Sequence, residues 1–522
     1  MNSFRQSMTW LHTWFGLVMC WIMYFMFVTG TLGYFDTEID HWMKPEVSIS
    51  EKISLKESLK IAEKHLNENA QGAEHWFIGP VNDRQNTNVN VFWSWPDDFD
   101  KPSVDRQLDS VTGLPVGETA RETGGGQVLY RMHYLLHYID EDVIYPIMGV
   151  ITLLMFIGVI TGIVIHKKIF KELFTFRPNK RSRSWLDMHN LLSVSSLPFQ
   201  IMITYSGLLF MVTTFFPIIA FGGLGFDQEL AKKELPKILG RGEHPEYAHK
   251  AAPLIPLETI ADKLEGVNVN EIRSILIDLP GDANAQITVT LMKGVSSRGA
   301  DPVKIHGVTG EILTDENHMH SSAMDISSVF IGLHEGLFAG PVLRWLYFIA
   351  GIIGSGMIAT GAIYWVIKRR KKNEQEGGSF GFSLVENLNI GTIVGLLSAI
   401  GFYFLSNRLL PLDIENRGDW EVHSMFLTWL VCLIHPFLRD DKQQAWIEQC
   451  YLVAIIFFAI PVVNYLTTDA HLLNSLANGN WILAGFDLTF IGMALAILFA
   501  IKKLKAKQVG KSVVVEAELV TG

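Results

Sequence analysis

Eight apolar runs constrain the fold of this chain more than any other feature of its sequence. Each run is long enough to cross the hydrocarbon core of a bilayer, which takes about 20 mostly apolar residues in a helix. Because lipid offers no partner to backbone N–H and C=O groups, such runs must form helices. We therefore predict a mostly α-helical, polytopic membrane bundle of about eight spans. The runs lie near residues 7–35, 143–165, 188–220, 341–366, 388–405, 420–438, 445–466 and 481–501.

Two long polar segments, residues 36–142 and 221–333, interrupt the first four spans. Both have apolar residues at helical spacing, then strand-like stretches, and then a Val-Thr-Gly turn at Gly113 or Gly310. Each segment is therefore expected to form a small α+β insert. The helical stretches are 55–62 and 257–261, and the strand-like stretches are 89–95, 272–279 and 287–292.

Basic residues cluster at every second connection, in the segments 167–183, 368–372 and 502–507. Loops rich in Lys and Arg are cytoplasmic, so this pattern predicts both termini inside and both inserts outside. The three cysteines lie in apolar runs, so no disulfide framework is expected in the inserts. No C-x-x-C-H spacing occurs, which excludes covalently attached c-type haem.

A histidine begins two of the spans in the same setting. His12 precedes Gly30 by 18 residues, and His189 precedes Gly207 by 18 residues (30 − 12 and 207 − 189). A helix of this length spans roughly 27 Å, close to one hydrocarbon thickness, so each histidine is expected at the inner face. The span that carries His189 should bend at Pro198.

The similarity extends beyond these two spans. Gly113 corresponds to Gly310 at an offset of 197, and Thr161-Gly162 corresponds to Thr360-Gly361 at an offset of 199 (310 − 113 and 361 − 162). The order of these features is the same in both halves, and both halves start inside. We therefore predict a parallel duplication about a pseudo-two-fold axis along the membrane normal. The predicted domains are a first repeat (1–168), a second repeat (185–370), a C-terminal four-span module (380–505) and a cytoplasmic tail (506–522).

A second set of histidines precedes spans two and four, at the outer face. His133 matches His334 by local pattern, and His137, one helical turn later, is the alternative to His133. The two-fold axis would bring His12 to His189 near the inner surface and His133 or His137 to His334 near the outer surface. Two opposed imidazoles suit a six-coordinate haem iron. The alternative interpretation is that these histidines lie at span ends and contact lipid headgroups.

Four further residues fall outside this pattern. His423 and His435 lie on one C-terminal span, about 120° apart around the helix, which favours structural roles over a third haem. Asp487 lies in the last span, where a buried acid suggests a proton or quinol role, or else a position at the outer interface. Arg344 could pair with a haem propionate or anchor its helix end at the interface.

The ordered set of Trp10-Leu11-His12, the Thr-Gly pairs, the Leu-His motif before span four and Val308-Thr309-Gly310-Glu311 resembles the PepSY-associated transmembrane family over about residues 1–370. The best-understood members of that family are inner-membrane siderophore-iron reductases. The resemblance implies PepSY-like inserts outside and two b-type haems, one on His12 and His189 and one on His133 and His334. It also implies a ferric siderophore or similar chelate as the substrate at the bacterial inner membrane.

The chain has no G-x-G-x-x-G motif after a strand and no P-loop. If the chain is a reductase, its electrons are therefore expected from a quinol or from a separate cytoplasmic reductase. Membrane lipid is an expected partner, and nucleic acid is not. Two other functions stay open. One is a haem-free PepSY-type interaction or regulatory membrane protein, and the other is a transporter, which eight spans and a repeat also permit.

Overall fold

The computed structural model describes residues 3–47, 53–81, 87–96, 101–116, 120–166, 177, 182–212, 214–215, 245–264, 266–292, 294–296, 302–313 and 322–521. Most of the predicted basic loop at 167–183, the end of span three and the start of the second insert lie outside the described residues. The chain divides into two compact units. The first comprises residues 1–45, 121–204 and 342–522, and the second comprises residues 46–120 and 205–341.

The prediction of a mostly helical polytopic membrane protein is confirmed. Among the described residues, seven helices are long and apolar enough to cross a membrane, and a bent pair brings the number to as many as eight. The bent pair is Ser182–Ser195 and Leu197–Phe210, whose axes differ by 68°. Its break falls at Ser196, two residues before Pro198, because proline lacks an N–H group and its ring clashes with the preceding turn.

The described residues form sixteen α-helices and three 3₁₀ turns. The α-helices are α1 (Phe4–Leu32), α2 (Asp36–Met43), α3 (Leu55–Asn69), α4 (Gly125–Arg131), α5 (Glu141–Ile165), α6 (Ser182–Ser195), α7 (Leu197–Phe210), α8 (Thr259–Lys263), α9 (Ser322–Glu335), α10 (Pro341–Gln375), α11 (Phe380–Ile393), α12 (Gly395–Leu409), α13 (Arg417–Ile434), α14 (Lys442–Thr467), α15 (Leu472–Ala477) and α16 (Trp481–Thr521). The 3₁₀ turns are Gly33–Phe35, Val269–Glu271 and His435–Leu438.

The run formed by α11 and α12 lies at the centre of the first unit. It is 78% buried over its most apolar window, whereas none of the six other unbroken candidate spans among the described residues exceeds 50%. Two side chains of α1 bond to it, because Trp21 Nε1 donates to Asn389 Oδ1 (2.9 Å) and the Tyr24 hydroxyl donates to the Ile393 carbonyl (3.0 Å). The C-terminal spans therefore pack directly on the first predicted repeat.

The second unit contains one seven-stranded antiparallel sheet to which both inserts contribute. Its strand order is β3-β2-β1-β4-β5-β6-β7. The first insert supplies three strands and the second supplies four, so the two predicted α+β inserts are joined edge to edge. This arrangement gives the backbone groups of β1 and β4 a partner that a lone insert would leave exposed at its edge. The strands are β1 (His75–Gly79), β2 (Val89–Ser94), β3 (Val104–Leu108), β4 (Ile272–Asp278), β5 (Gln286–Leu291), β6 (Val303–His306) and β7 (Ile312–Leu313).

The register of the central pair matches the duplication in the sequence. Ile78 of β1 pairs with Ile275 of β4. These two residues differ by 197 positions (275 − 78), the offset that relates Gly113 to Gly310. An antiparallel pair in which a residue meets its own repeat equivalent is what a two-fold axis generates. The sheet therefore has a local two-fold relation between the two inserts at Ile78 and Ile275.

The core of the second unit lies under one face of this sheet. The amphipathic helix α3 buries Leu59, Ala62 and Leu66, which lie three and four residues apart on one side. They pack in one cluster with the inward residues of the strands, including Ile275 and Ile277. Burial of this face supplies the hydrophobic free energy that holds the insert strands to their helix.

Local signals that the sequence carries are also present. A capping box starts α3, where Ser54 Oγ accepts from the Glu57 N–H, and the bonds from Ser54 lower the pKa of the Glu57 carboxyl. The two predicted Val-Thr-Gly turns occur, with Gly113 at φ 68° and Gly310 at φ 73°. Only glycine adopts this left-handed conformation without a steric penalty, which explains its place in both turns.

The joint sheet predicts a cross-link between the inserts. Phe77 and Leu276 are register partners on β1 and β4. Antiparallel partners have Cα atoms about 4.5–5.5 Å apart, which suits a disulfide. We expect the F77C/L276C variant to form an intramolecular disulfide upon oxidation, seen as faster migration on a non-reducing gel.

The matched control places the first cysteine one strand further away. Phe92 of β2 pairs with Phe77 of β1. Phe92 is therefore two strands from Leu276, about 10 Å across the sheet. The F92C/L276C variant should not cross-link. Equal cross-linking of the two variants, or cross-linking of neither, would contradict the edge-to-edge pairing of β1 with β4.

Candidate functional site

His12 of α1 and His189 of α6 lie side by side in the first unit. Their ring centroids are 6.3 Å apart, and the ring planes make an angle of 61°. His12 Nδ1 lies 3.0 Å from the Gly158 carbonyl, and His189 Nδ1 lies 2.8 Å from the Met357 carbonyl. A carbonyl can only accept, so each Nδ1 carries the hydrogen. Each neutral ring is therefore in the tautomer whose lone pair is on Nε2, the form that can bind a metal.

The structure explains how a membrane helix accommodates the His12 ring. The ring packs on Gly162 of α5, where an added Cβ would lie 3.3 Å from His12 Cε1. The Gly158 carbonyl that accepts from Nδ1 is four residues before this glycine. The hydroxyl of Thr161, immediately before the glycine, lies 2.8 Å from the Ile157 carbonyl and 3.0 Å from the same Gly158 carbonyl. We call this arrangement of a Thr-Gly pair and the carbonyl four residues before the glycine a Thr-Gly seat.

A second Thr-Gly seat holds His189 on α10. The ring packs on Gly361, where an added Cβ would lie 3.0 Å from His189 Cε1. The accepting carbonyl belongs to Met357, four residues before the glycine, and the Thr360 hydroxyl donates to it as well (3.0 Å). His12 and His189 are therefore held in the same way, at positions that correspond in the predicted duplication.

A third seat holds His133, the predicted outer histidine of the first repeat. His133 Nδ1 donates to the Met26 carbonyl (2.8 Å), four residues before Gly30 on α1. Thr29 donates to this carbonyl at 3.3 Å. The approach to the glycine is the closest of the three, because an added Cβ on Gly30 would lie 2.4 Å from the His133 ring.

His334, the predicted outer histidine of the second repeat, lies in α9 of the second unit. Its Nδ1 is 2.8 Å from Ser206 Oγ, and its ring meets Phe210 edge to face at 5.2 Å. Ser206 stands immediately before Gly207, the residue that corresponds to Gly30 in the first repeat. His334 therefore contacts the hydroxyl of the residue before the glycine, whereas the other three histidines contact a helix carbonyl. The pairing of His133 with His334 joins residues of different units and stays a prediction.

These contacts follow one rule that the sequence reasoning missed. Within the first repeat, His12 contacts the Thr-Gly pair of the second span, and His133 contacts the Thr-Gly pair of the first span. Antiparallel spans place the start of one helix beside the end of the other, so a histidine at one end lies level with a glycine at that end of its neighbour. The histidines and the Thr-Gly pairs are both visible in the sequence, and their common depth was the available signal.

Three other histidines of the first unit, His137, His423 and His435, have different partners. His137 is exposed and contacts the rings of Tyr138 and Phe426. His423 Nδ1 is 2.7 Å from the Tyr138 hydroxyl, and His435 Nε2 is 2.8 Å from Glu448. These contacts agree with structural roles for His423 and His435.

The remaining polar positions singled out in the sequence are also engaged. Arg344 forms an ion pair with Glu38, with 2.6 Å between Nη1 and Oε1. Asp487 is fully buried within the protein, and it accepts from Trp42 and Asn464. Within the described ranges, no group of three or more His, Cys, Asp or Glu side chains is arranged to hold a metal ion. A haem iron needs only two axial ligands from the protein, because the porphyrin supplies the others.

The seat at Gly30 can be tested with a matched pair of substitutions on α1. Gly30→Ala places a methyl group 2.4 Å from the His133 ring, so we expect a loss of about 1–3 kcal/mol from overpacking. Gly16→Ala meets no described atom within 4 Å and should be neutral or stabilising by up to about 1 kcal/mol. Thermal unfolding in detergent measures both. Equal unfolding temperatures for the two variants would show that the ring does not rest on Gly30.

The comparison with protein families identifies one matching family model. The family model described as the PepSY-associated TM region matches residues 9–368. A search of curated proteins finds no match to the chain. The matched stretch includes all four seated or hydroxyl-bound histidines and the strands of both inserts, and it ends before α11. This chain is therefore a member of the PepSY-associated transmembrane family.

Proposed function

We propose that this protein holds two b-type haems between its duplicated spans and passes electrons across the bilayer to a ferric complex outside. The observation that carries the proposal is the His12–His189 pair, with ring centroids 6.3 Å apart and both Nδ1 atoms bonded to helix carbonyls. Ionisable side chains inside a membrane are costly, and they usually mark function.

The separation of the two rings fits one shared metal. An imidazole nitrogen binds a metal ion at about 2 Å, so two imidazoles on one metal have ring centres roughly 6 Å apart. The tautomer fits as well, because the Nδ1–H bond to a carbonyl leaves the Nε2 lone pair for the iron. Such a bond fixes the orientation of the ring and raises the basicity of the ligand nitrogen. When bound, each haem would be held by two histidines and would supply a one-electron carrier.

We assign the second haem to His133 and His334. The Thr-Gly seat of His133 repeats the arrangement at His12 and His189, which supports His133 over the exposed His137. The hydroxyl of Ser206 gives His334 a comparable partner. One haem near each face would make an electron path through the membrane. An interaction protein or a transporter gives no reason for three histidines held in the same Thr-Gly seat.

The proposed reaction is the one-electron reduction of an extracytoplasmic ferric siderophore or similar chelate in iron acquisition. Reduction of Fe(III) to Fe(II) replaces a hard ion by a softer one, which hard oxygen chelators hold less well. We propose the bacterial inner membrane as the location, with both termini cytoplasmic and the inserts periplasmic. The electron donor would be a membrane quinol or a separate cytoplasmic reductase.

Haem content tests the ligand assignment directly. The purified protein should be red, with a Soret band that shifts upon addition of dithionite. His12→Ala and His334→Ala should each lose about half of the haem, because each removes one axial ligand of one site. His423→Ala, which removes a histidine outside the proposed pairs, should retain all of it. A colourless wild-type protein, or unchanged spectra in both ligand variants, would overturn the proposal.

The acceptor side can be tested with a redox-inactive analogue. The dithionite-reduced protein, freed of excess reductant under anaerobic conditions, should be reoxidised by the ferric complex of a hydroxamate chelator. The gallium complex of the same chelator has the same charge and similar size, and it should leave the spectrum reduced. No reoxidation by the ferric complex would contradict a reductase, while leaving the haem assignment to the first experiment.

A further inference from the structure

We infer that the C-terminal spans, α11 to α16, are a positioning module for the outer histidine of the first repeat. They hold the segment Arg121–Gly126, from which α4 leads to His133. The inference gives a role to the part of the chain that follows the family match at residue 368. It rests on the proposed function only where haem is the readout, because the placement of His133 on Gly30 is a property of the protein alone.

A fully buried ion pair in α13 binds this segment. Arg417 and Glu421 are 0% exposed, and their charged atoms are 2.5 Å apart. Glu421 Oε2 accepts from the Thr123 hydroxyl and from the Gly124 N–H (3.1 Å). Glu421 Oε1 also accepts from Asn407 of α12 (2.7 Å). The carboxylate therefore joins two C-terminal helices to the backbone and side chain of the segment.

The guanidinium of Arg417 is directed at the same segment. Its Nη1 donates to the Glu122 carbonyl (2.9 Å) as well as to Glu421, and its Nη2 donates to the Asn407 carbonyl (2.6 Å). Its Nε donates to the Pro411 carbonyl (3.1 Å). All three nitrogens are used within the protein, which indicates a structural clamp rather than a site awaiting an anionic ligand.

Three consecutive glycines let the helices approach the segment this closely. The Tyr403 hydroxyl of α12 donates to the Gly125 carbonyl (2.8 Å), and a Cβ on Gly124 would lie 2.7 Å from that hydroxyl. On the other side, the Gly126 N–H donates to Asp40 Oδ1 of α2 (2.8 Å). Gly125 itself has φ 62°, and a Cβ there would lie 1.9 Å from Asp40 Oδ1. The run is thus enclosed between α2 and α12.

The C-terminal spans also hold α2, the second wall of this enclosure. Trp42 Nε1 donates to Asp487 Oδ1 of α16 (3.1 Å), and the Trp42 carbonyl accepts from Arg408 of α12. The Arg408 guanidinium lies 3.8 Å from the centre of the Trp42 ring. Asn464 of α14 bonds to both Asp487 (3.0 Å) and Arg408 (2.8 Å). Both walls are therefore fixed by the same four-span module.

The path from this clamp to the histidine is short. Gly126 precedes His133 by seven residues (133 − 126), and α4 covers most of them, about 10 Å of helix at 1.5 Å per residue. The His133 ring must then meet the Met26 carbonyl at 2.8 Å. A displacement of about 1 Å at a ligand is enough to impair function, so the start of α4 must be placed closely. A buried ion pair adds little net stability, but its directed bonds specify one placement.

The test compares two glycines that share a left-handed conformation. Gly125→Ala adds both backbone strain and the collision with Asp40. Gly479→Ala, at φ 70° in the loop between α15 and α16, adds the strain but meets no described atom within 4 Å. Hydrogen exchange on the purified full chain should become about tenfold faster or more at residues 125–135 in Gly125→Ala, and stay at the wild-type rate there in Gly479→Ala.

Haem gives the second readout. Gly125→Ala should lose or shift the outer low-spin haem signal in an electron paramagnetic resonance spectrum and leave the inner signal of His12 and His189 unchanged. If Gly125→Ala does not fold, Tyr403→Phe removes the α12 hydroxyl that bonds to the Gly125 carbonyl and should give a smaller change of the same kind. Wild-type hydrogen-exchange rates at residues 125–135 in both Gly125→Ala and Tyr403→Phe would overturn the inference. A wild-type protein without haem would instead overturn the proposed function. The hydrogen-exchange result would then decide the inference about the C-terminal spans.

Discussion

The arrangement of the spans in the first unit depends on one interaction, the bond from a histidine Nδ1–H to a carbonyl inside a neighbouring membrane helix. A helical carbonyl already accepts from the N–H four residues ahead, and its second lone pair is free for another donor. In lipid, where no water competes, such a bond holds an imidazole more firmly than it would at a wet surface. Met357 and Met26 provide these carbonyls for His189 and His133, at 2.8 Å in both cases.

The bond in turn requires glycine at one position. The N–H that bonds within the helix to this carbonyl belongs to the residue four places ahead, and that residue lies under the imidazole ring. Any side chain there would push the ring outwards, as the 3.0 Å and 2.4 Å distances at Gly361 and Gly30 indicate. Threonine before the glycine adds a hydroxyl to the same carbonyl without occupying the ring position. The glycine of the Thr-Gly pair is therefore a physical requirement of a seated histidine, which explains its recurrence in the sequence.

Much of this could be predicted from the sequence because it is local or periodic. The spans follow from apolar length, the kink from Pro198, and the turns at Gly113 and Gly310 from composition. The partners could not be predicted in the same way, since His133 and Gly30 are 103 residues apart (133 − 30) and only the antiparallel packing of two helices brings them together. The joining of the inserts was missed for a similar reason. Ile78 and Ile275 pair at the local two-fold position, but the sequence near either residue does not indicate that the two strands pair with each other.

The C-terminal module poses a different question, because its buried charges are hard to justify by stability. Arg417, Glu421, Arg408 and Asp487 each lose hydration on burial, and an apolar replacement of similar volume is often at least as stable. Apolar packing, however, tolerates sliding and repacking of helices in lipid, where every helix surface is similar. Directed bonds to the carbonyls of Glu122 and Gly125 permit one position only. His133 lies seven residues after Gly126, and its ring must meet the Met26 carbonyl. This requirement gives the protein a reason to accept the cost of such charges, which a need for a stable bundle alone would not.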